Sequence, residues 1–253
     1  MRNIVISFAA VLLACACATS PLGRSQLMMV SADQMDQMGV ASFNDLKQKT
    51  PVTRNPKTSA YVNCVARAIT RELNDDRNWE VQVFEDNQVN AFALPGAKIG
   101  VYTGLLKVAT TQDQLAAVIG HEVSHVLANH SAERVSEQMA AQLGTQVAGA
   151  ATGVDPQLFG IASNVFFTLP GSRTQESEAD LLGLDLMSRA GFDPRQSVTL
   201  WQNMMNAGGQ KPPEMLSTHP SDETRIQQLQ ARIPQELPVY DNARKSGKRP
   251  QCS

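Results

Sequence analysis

His121-Glu122-Val123-Ser124-His125 is the stretch of this chain best equipped to do chemistry. It lies in 112–130, where Leu115, Ala116, Ile119, Val123 and Val126 recur at helical spacing and make one apolar stripe. At ~100° per residue, the two histidines fall roughly 40° apart on the face opposite that stripe, one above the other. Two imidazoles so placed can grip one tetrahedral Zn²⁺. Glu122 lies at the edge of that face, where it can take a proton from a water activated by the ion.

A hydrolytic zinc site keeps three protein ligands and leaves the fourth position to water. The third ligand is expected in Ser172-Arg173-Thr174-Gln175-Glu176-Ser177-Glu178-Ala179-Asp180. Glu176 and Asp180 are four apart and share a helix face, while Glu178 points roughly the other way. Glu176 is the candidate ligand. Asp180, one turn on, can accept the free N–H of a ligand histidine and hold its ring. Read alone, these acids are an ordinary solvated helix start, favoured by the helix dipole. Only their pairing with His121 and His125 makes them a site. His130 is a different case. No glycine lies between it and His125, so a continuing helix carries it roughly 140° round from His125. It is expected at a helix end, where a cationic ring suits the C-terminal dipole.

HEVSH followed by SRTQESEADLLG, with NAFALPG upstream and THP downstream, resembles the zinc metallopeptidases related to HtpX and the CAAX prenyl proteases. Within them it is most similar to the periplasmic lipoprotein branch, LoiP-like and related to BepA. The resemblance covers about residues 55–235. It implies an α+β, predominantly helical fold, thermolysin-like, with a small sheet beside the active-site helix. It also implies one Zn²⁺ on His121, His125 and Glu176, with Glu122 as catalytic base and Asp180 as the paired acid. The expected activity is endopeptidase cleavage of unfolded or misassembled envelope proteins, as quality control. A second expectation is a chaperone-like assembly factor for outer-membrane proteins, with latent proteolysis. His219, in the THP motif, is placed over the metal as a latch on the fourth position or as a stabiliser of the transition state. Asn90, Ala91, Phe92 and Ala93 correspond to a substrate-binding strand, and by pattern alone they are equally a piece of scaffold sheet.

The rest of the chain must carry and locate these residues. Residues 1–14 combine Arg2 with the apolar run 4–14 and read as a signal peptide, too short to span a bilayer at under ~18 residues. Leu12-Leu13-Ala14-Cys15 resembles a bacterial lipobox, with Cys15 lipidated; Cys17 is the alternative. Residues 15–30 are then a lipidated N-terminus and tether. The expected location is the periplasmic side of the bacterial outer membrane, with the lipid as the only membrane attachment. The metallopeptidase domain is expected over 31–238 and a solvated basic tail over 239–253. Helices are expected over 31–49, 57–74, 172–190 and 194–207, two more within 131–168 broken at 153–156, and one from Ser221. Strands are expected at 79–84, 89–94 and 98–102. The Ala/Gly-rich run 140–152 with Phe166 and Phe167 is either a cover over a groove or part of the core. Cys64 and Cys252 either pair, in an oxidising compartment, or stay as separate thiols. The net charge of −2 offers no footprint for nucleic acid.

Overall fold

The computed structural model describes residues 17–143, 156–207, 214–219 and 223–253. The signal segment, Cys15, the helix break before Pro156, the 208–213 loop and the helix start at Ser221 lie outside them. The fold is α+β and mostly helical, as expected. A hairpin of β1 (Cys17–Thr19) and β2 (Ser25–Leu27) leads to α1 (Ala32–Lys49) and α2 (Pro56–Thr70). Three strands follow: β3 (Glu80–Phe84), β4 (Ala91–Leu94) and β5 (Lys98–Tyr102). Then come α3 (Gln112–Leu127), α4 (His130–Leu143), α5 (Pro156–Phe167), α6 (Arg173–Arg189), α7 (Gln196–Ala207), α8 (Glu214–Thr218) and α9 (Glu223–Lys245).

Local chemistry explains the helix starts. Ser31 and Ser172 each close a capping box, with Gln34 and Gln175 respectively, which satisfies donors the first turn leaves free. Asn55 caps α2 ahead of Pro56, and Thr111 caps α3. The sheet has the order β3-β5-β4, with β3 parallel and β4 antiparallel to the central β5. The β4–β5 turn uses positive φ at Gly96 and Ala97. Gly96 is the natural residue there; Ala97 adopts a conformation that costs an L side chain energy. β4 lies at the edge of the sheet.

The main core gathers one side of α2, the inner faces of β3 and β5, and nearly all of α3. α3 is buried almost all round, histidine face included. The apolar stripe anchors one side of that helix, and the polar face is covered by α6 and α9 rather than by water. A second cluster of Phe43, Phe84, Phe92, Leu94 and Tyr102 fills the space between α1 and the other side of the sheet.

The segments expected as a tether and as a solvated tail both depart from expectation. The segment expected to be a tether forms the β1–β2 hairpin, with Cys17 paired to Leu27 and Gln26 buried. Arg24 and Gln26 have buried acceptors to reach in the protein, so the segment is held rather than solvated. The expected boundary at 238 falls inside α9, which runs through Pro234 and Pro238. The basic tail is tied down as well. Lys248 pairs with Glu72, Gln112 donates to the Pro250 carbonyl, and Cys252 N–H donates to Gln112 Oε1. Cys252 is joined to Cys64 of α2 by a disulfide, with Cα atoms 5.6 Å apart. No helix among the described residues is long and apolar enough to cross a membrane.

Candidate metal centre

The crossing of α3 and α6 assembles the site. Gly120 and Gly183 face each other so closely that a Cβ on Gly183 would lie 2.8 Å from the His121 backbone nitrogen. One on Gly120 would lie 2.9 Å from the Gly183 oxygen. At that approach the first turns of α6 lie beneath the two histidines. His121 Nε2 and His125 Nε2 come within 3.0 Å of each other. Glu176 places Oε2 3.3 Å from His121 Nε2 and Oε1 3.5 Å from His125 Nε2. His219, just past α8, brings Nδ1 to 3.2 Å from His121 Nε2 and 3.1 Å from Glu176 Oε2.

One donor atom from each of His121, His125, Glu176 and His219 lies within 4.8 Å of every other. With bonds of about 2.0–2.1 Å, the corners of a zinc tetrahedron are roughly 3.3–3.4 Å apart. The observed separations bracket that value, and imidazole with carboxylate is a donor set that suits Zn²⁺. The residues therefore fit the ion.

Each ligand candidate is oriented from behind. Asp180 Oδ1 lies 3.0 Å from His121 Nδ1. Arg225 of α9 locks Asp180 in turn, with Nε at 2.6 Å from Oδ2 and Nη2 at 2.7 Å from Oδ1. Its guanidinium stacks 3.7 Å from the Trp201 ring centroid and reaches Glu176 Oε2 at 3.2 Å. His130 departs from expectation. α3 ends at Ala128, Asn129 turns through φ 53°, and His130 opens α4. The turn swings the ring back, so that Nδ1 lies 2.9 Å from His125 Nδ1 and Nε2 lies 3.2 Å from Glu178 Oε2. Burial pushes the His130 pKa down, with Glu178 opposing, so the ring is neutral rather than a cationic helix end. Glu178 points away from the ligand cluster, as expected, but into a buried ion pair with Arg24 rather than into solvent.

Glu122 is buried beside the cluster. Its Oε1 makes no hydrogen bond and faces His219 Nε2 at 3.4 Å. Burial raises its pKa, with His219 and His121 pulling the other way. A carboxylate in that setting holds a proton more readily than a free one, which suits a general base. Burial also drives the His125 pKa well below its ordinary value, leaving a free ring lone pair. At His121, burial and Arg225 oppose the charge, and Asp180 and Glu176 outweigh them, raising the pKa to about 9. A metal ion must displace that proton.

The cleft above Glu122 and His125 is lined by β4, Arg134, Phe166, Phe167 and Thr218. It includes all four residues Asn90, Ala91, Phe92 and Ala93, with Asn90 just ahead of the strand. Arg225, Trp201, His130 and Arg24 are the site neighbours that sequence reasoning did not place there. Arg225, six residues past the THP histidine on an otherwise polar helix, carried no periodic signal.

The model of peptidase family M48 matches residues 53–233. The chain belongs to peptidase family M48. The matched span contains every M48 ligand candidate and begins after the N-terminal hairpin and α1. Among its relatives is the mitochondrial metalloendopeptidase OMA1 of Schizosaccharomyces pombe, 40% identical over 181 residues, which are 70% of this chain and 54% of that protein. OMA1 of Saccharomyces cerevisiae is 35% identical, over 70% of this chain and 53% of its own. The beta-barrel assembly-enhancing protease of Escherichia coli K12 is 29% identical over 86% of this chain and 47% of its own. The chain thus spans about half the length of these relatives.

Proposed function

We propose that the protein is a zinc-dependent endopeptidase of the bacterial cell envelope that hydrolyses peptide bonds in unfolded or misassembled envelope proteins. The observation that carries this reading is the buried His121, His125 and Glu176 cluster with a buried, under-bonded carboxylate, Glu122, at its edge. Zn²⁺ held by His121, His125 and Glu176 would supply a Lewis acid that polarises a carbonyl and lowers the pKa of a water to about 7. Glu122 takes the proton of the attacking water and passes it to the leaving amine nitrogen. Asp180, braced by Arg225, keeps His121 in one tautomer. The free edge of β4, at Asn90–Ala93, holds an extended peptide by backbone pairing. His219, whose Nδ1 lies 3.2 Å from His121 Nε2, would fill the fourth position and act as a latch against water entry. Family membership supports the chemistry. Likeness to the beta-barrel assembly-enhancing protease over 86% of the chain supports the envelope setting, against similarity to mitochondrial OMA1.

The test is Glu122→Gln. It should keep stoichiometric zinc and lose about 10²–10⁴-fold in turnover of an unfolded protein substrate. Full turnover in that variant would remove Glu122 as base. A second reading, assembly of outer-membrane proteins with proteolysis latent, draws on the same relative's name. It is favoured if Glu122→Gln fully restores a deletion phenotype. Attachment to the periplasmic side of the outer membrane through a lipidated Cys15, in a LoiP-like lipoprotein, is part of the proposal. Palmitate labelling should vanish in Cys15→Ser, and labelling that persists would move the acceptor to Cys17.

A further inference from the structure

The N-terminal hairpin lies outside the span matched to the family, yet it ends against the back of the metal centre. Arg24, just ahead of β2, donates from Nε to Glu178 Oε2 at 3.1 Å. Its two terminal nitrogens fork onto the Glu133 carboxylate. Gln26 donates to Glu133 Oε2 at 3.0 Å and to the Ala128 carbonyl, where α3 ends, at 2.7 Å. Glu178, His130 and His125 then follow in hydrogen-bond order.

Proton counting gives this chain a direction. An ionised carboxylate only accepts, so His130 carries its proton on Nε2 and offers Nδ1 as acceptor. His125 therefore donates from Nδ1 and presents the Nε2 lone pair to the ligand cluster. The tautomer of a ligand histidine is set by the hydrogen bond its other nitrogen makes. His121 has a carboxylate in that place. His125 has a second, fully buried histidine, and the carboxylate stands one step further out. Arg24 gathers both Glu178 and Glu133, so their like charges are held apart by one guanidinium from the hairpin.

We propose that His130, Glu178 and Arg24 are positioning residues for His125, so that seating of the N-terminal hairpin sets how firmly the metal is held. This rests on the assignment of His125 as a ligand. It adds a lever: displacement of the segment just after the expected lipid anchor loosens the metal centre without touching a ligand.

The experiment reads the metal rather than proteolysis. Zn²⁺-loaded full-length protein is challenged with a chelator and release is timed, and the Co²⁺-substituted protein gives a visible spectrum that follows ligand geometry. Loss of an outer partner of a ligand histidine costs about 10–100-fold in metal affinity, so His130→Ala should release zinc faster by a similar factor. His130→Asn, whose Oδ1 keeps an acceptor facing His125, should recover most of the difference. Arg24→Ala should fall between, with an altered cobalt spectrum. Should His130→Ala not fold, His130→Gln, with its amide carried away from His125, replaces it. Wild-type release and spectra in Arg24→Ala and in the His130 variants, with metal lost in His125→Ala, overturn the relay alone. Metal retained in His125→Ala overturns the ligand assignment with it.

Discussion

At the residue scale, the site separates its roles by environment. His125 is neutral because it is buried, and Glu122 is shifted toward neutral pH by the same cause. His219 is the least buried member of the cluster; its N–H donates to Met215 O, one turn back in α8, and its carbonyl accepts from Arg225 Nη1 at 3.4 Å. If it is a latch, His219→Ala should raise basal cleavage of an unfolded substrate several-fold with zinc stoichiometry unchanged. If it stabilises the transition state, the same change should lower turnover by about 10²–10³-fold. Activity equal to wild type would remove both roles.

At the element scale, the hairpin and α4 are joined by the Arg24–Glu133 pair. Burial raises the Glu133 pKa, and Arg24, Gln175 and Gln26 outweigh it, lowering it from 4.5 to about 2. The folded value is depressed, so this group's contribution is fully present above about pH 4.5 and is lost as pH falls toward 2. The magnitude is on the order of 2–3 kcal/mol. Glu133→Gln should therefore be less stable than wild type at neutral pH, and its stability should fall less steeply between pH 4.5 and 2. Denaturation midpoints of the metal-free proteins, taken across that range, measure both. Parallel pH profiles for the two would mean the pair contributes nothing.

At the scale of the whole molecule, the N-terminal hairpin and the C-terminal tail are both tied down around α3. The hairpin sits behind the metal centre, and the tail reaches Gln112 in the first turn of the same helix. The Cys64–Cys252 bond closes a loop with a sequence separation of 188 residues. Loop-closure entropy for a cross-link that long is on the order of 5 kcal/mol, of which measured disulfides deliver about 2–5. Cys252→Ser should thus lower Tm by roughly 5–15 °C. The zinc-loaded protein should keep most of its turnover, because the bond lies at the far end of α3 from the ligands. An unchanged Tm would show that the noncovalent contacts of the tail suffice.

What the sequence determined by itself was whatever depends on short spacing along one helix. His121 and His125 one turn apart, Glu176 and Asp180 one turn apart, and the serine, threonine and asparagine caps all follow from helical period and local hydrogen bonding. So do the three strands, announced by the alternation over 79–84 and by the Pro95-Gly96 and Thr103-Gly104 turns that end the other two. Cys64 and Cys252 were visible as candidates, but nothing local says whether two thiols that far apart in sequence meet. Tertiary structure alone decided the rest, because those contacts lie across the chain. Arg225, stacked on Trp201, braces Asp180 from another helix, and the Gly120–Gly183 approach selects the crossing. His130 shows the limit most clearly. Its angle on a continuing helix is simple arithmetic, but the chain leaves the helix at Asn129. One left-handed residue returns the ring to His125, where burial, Glu178 and the distant Arg24 can hold it.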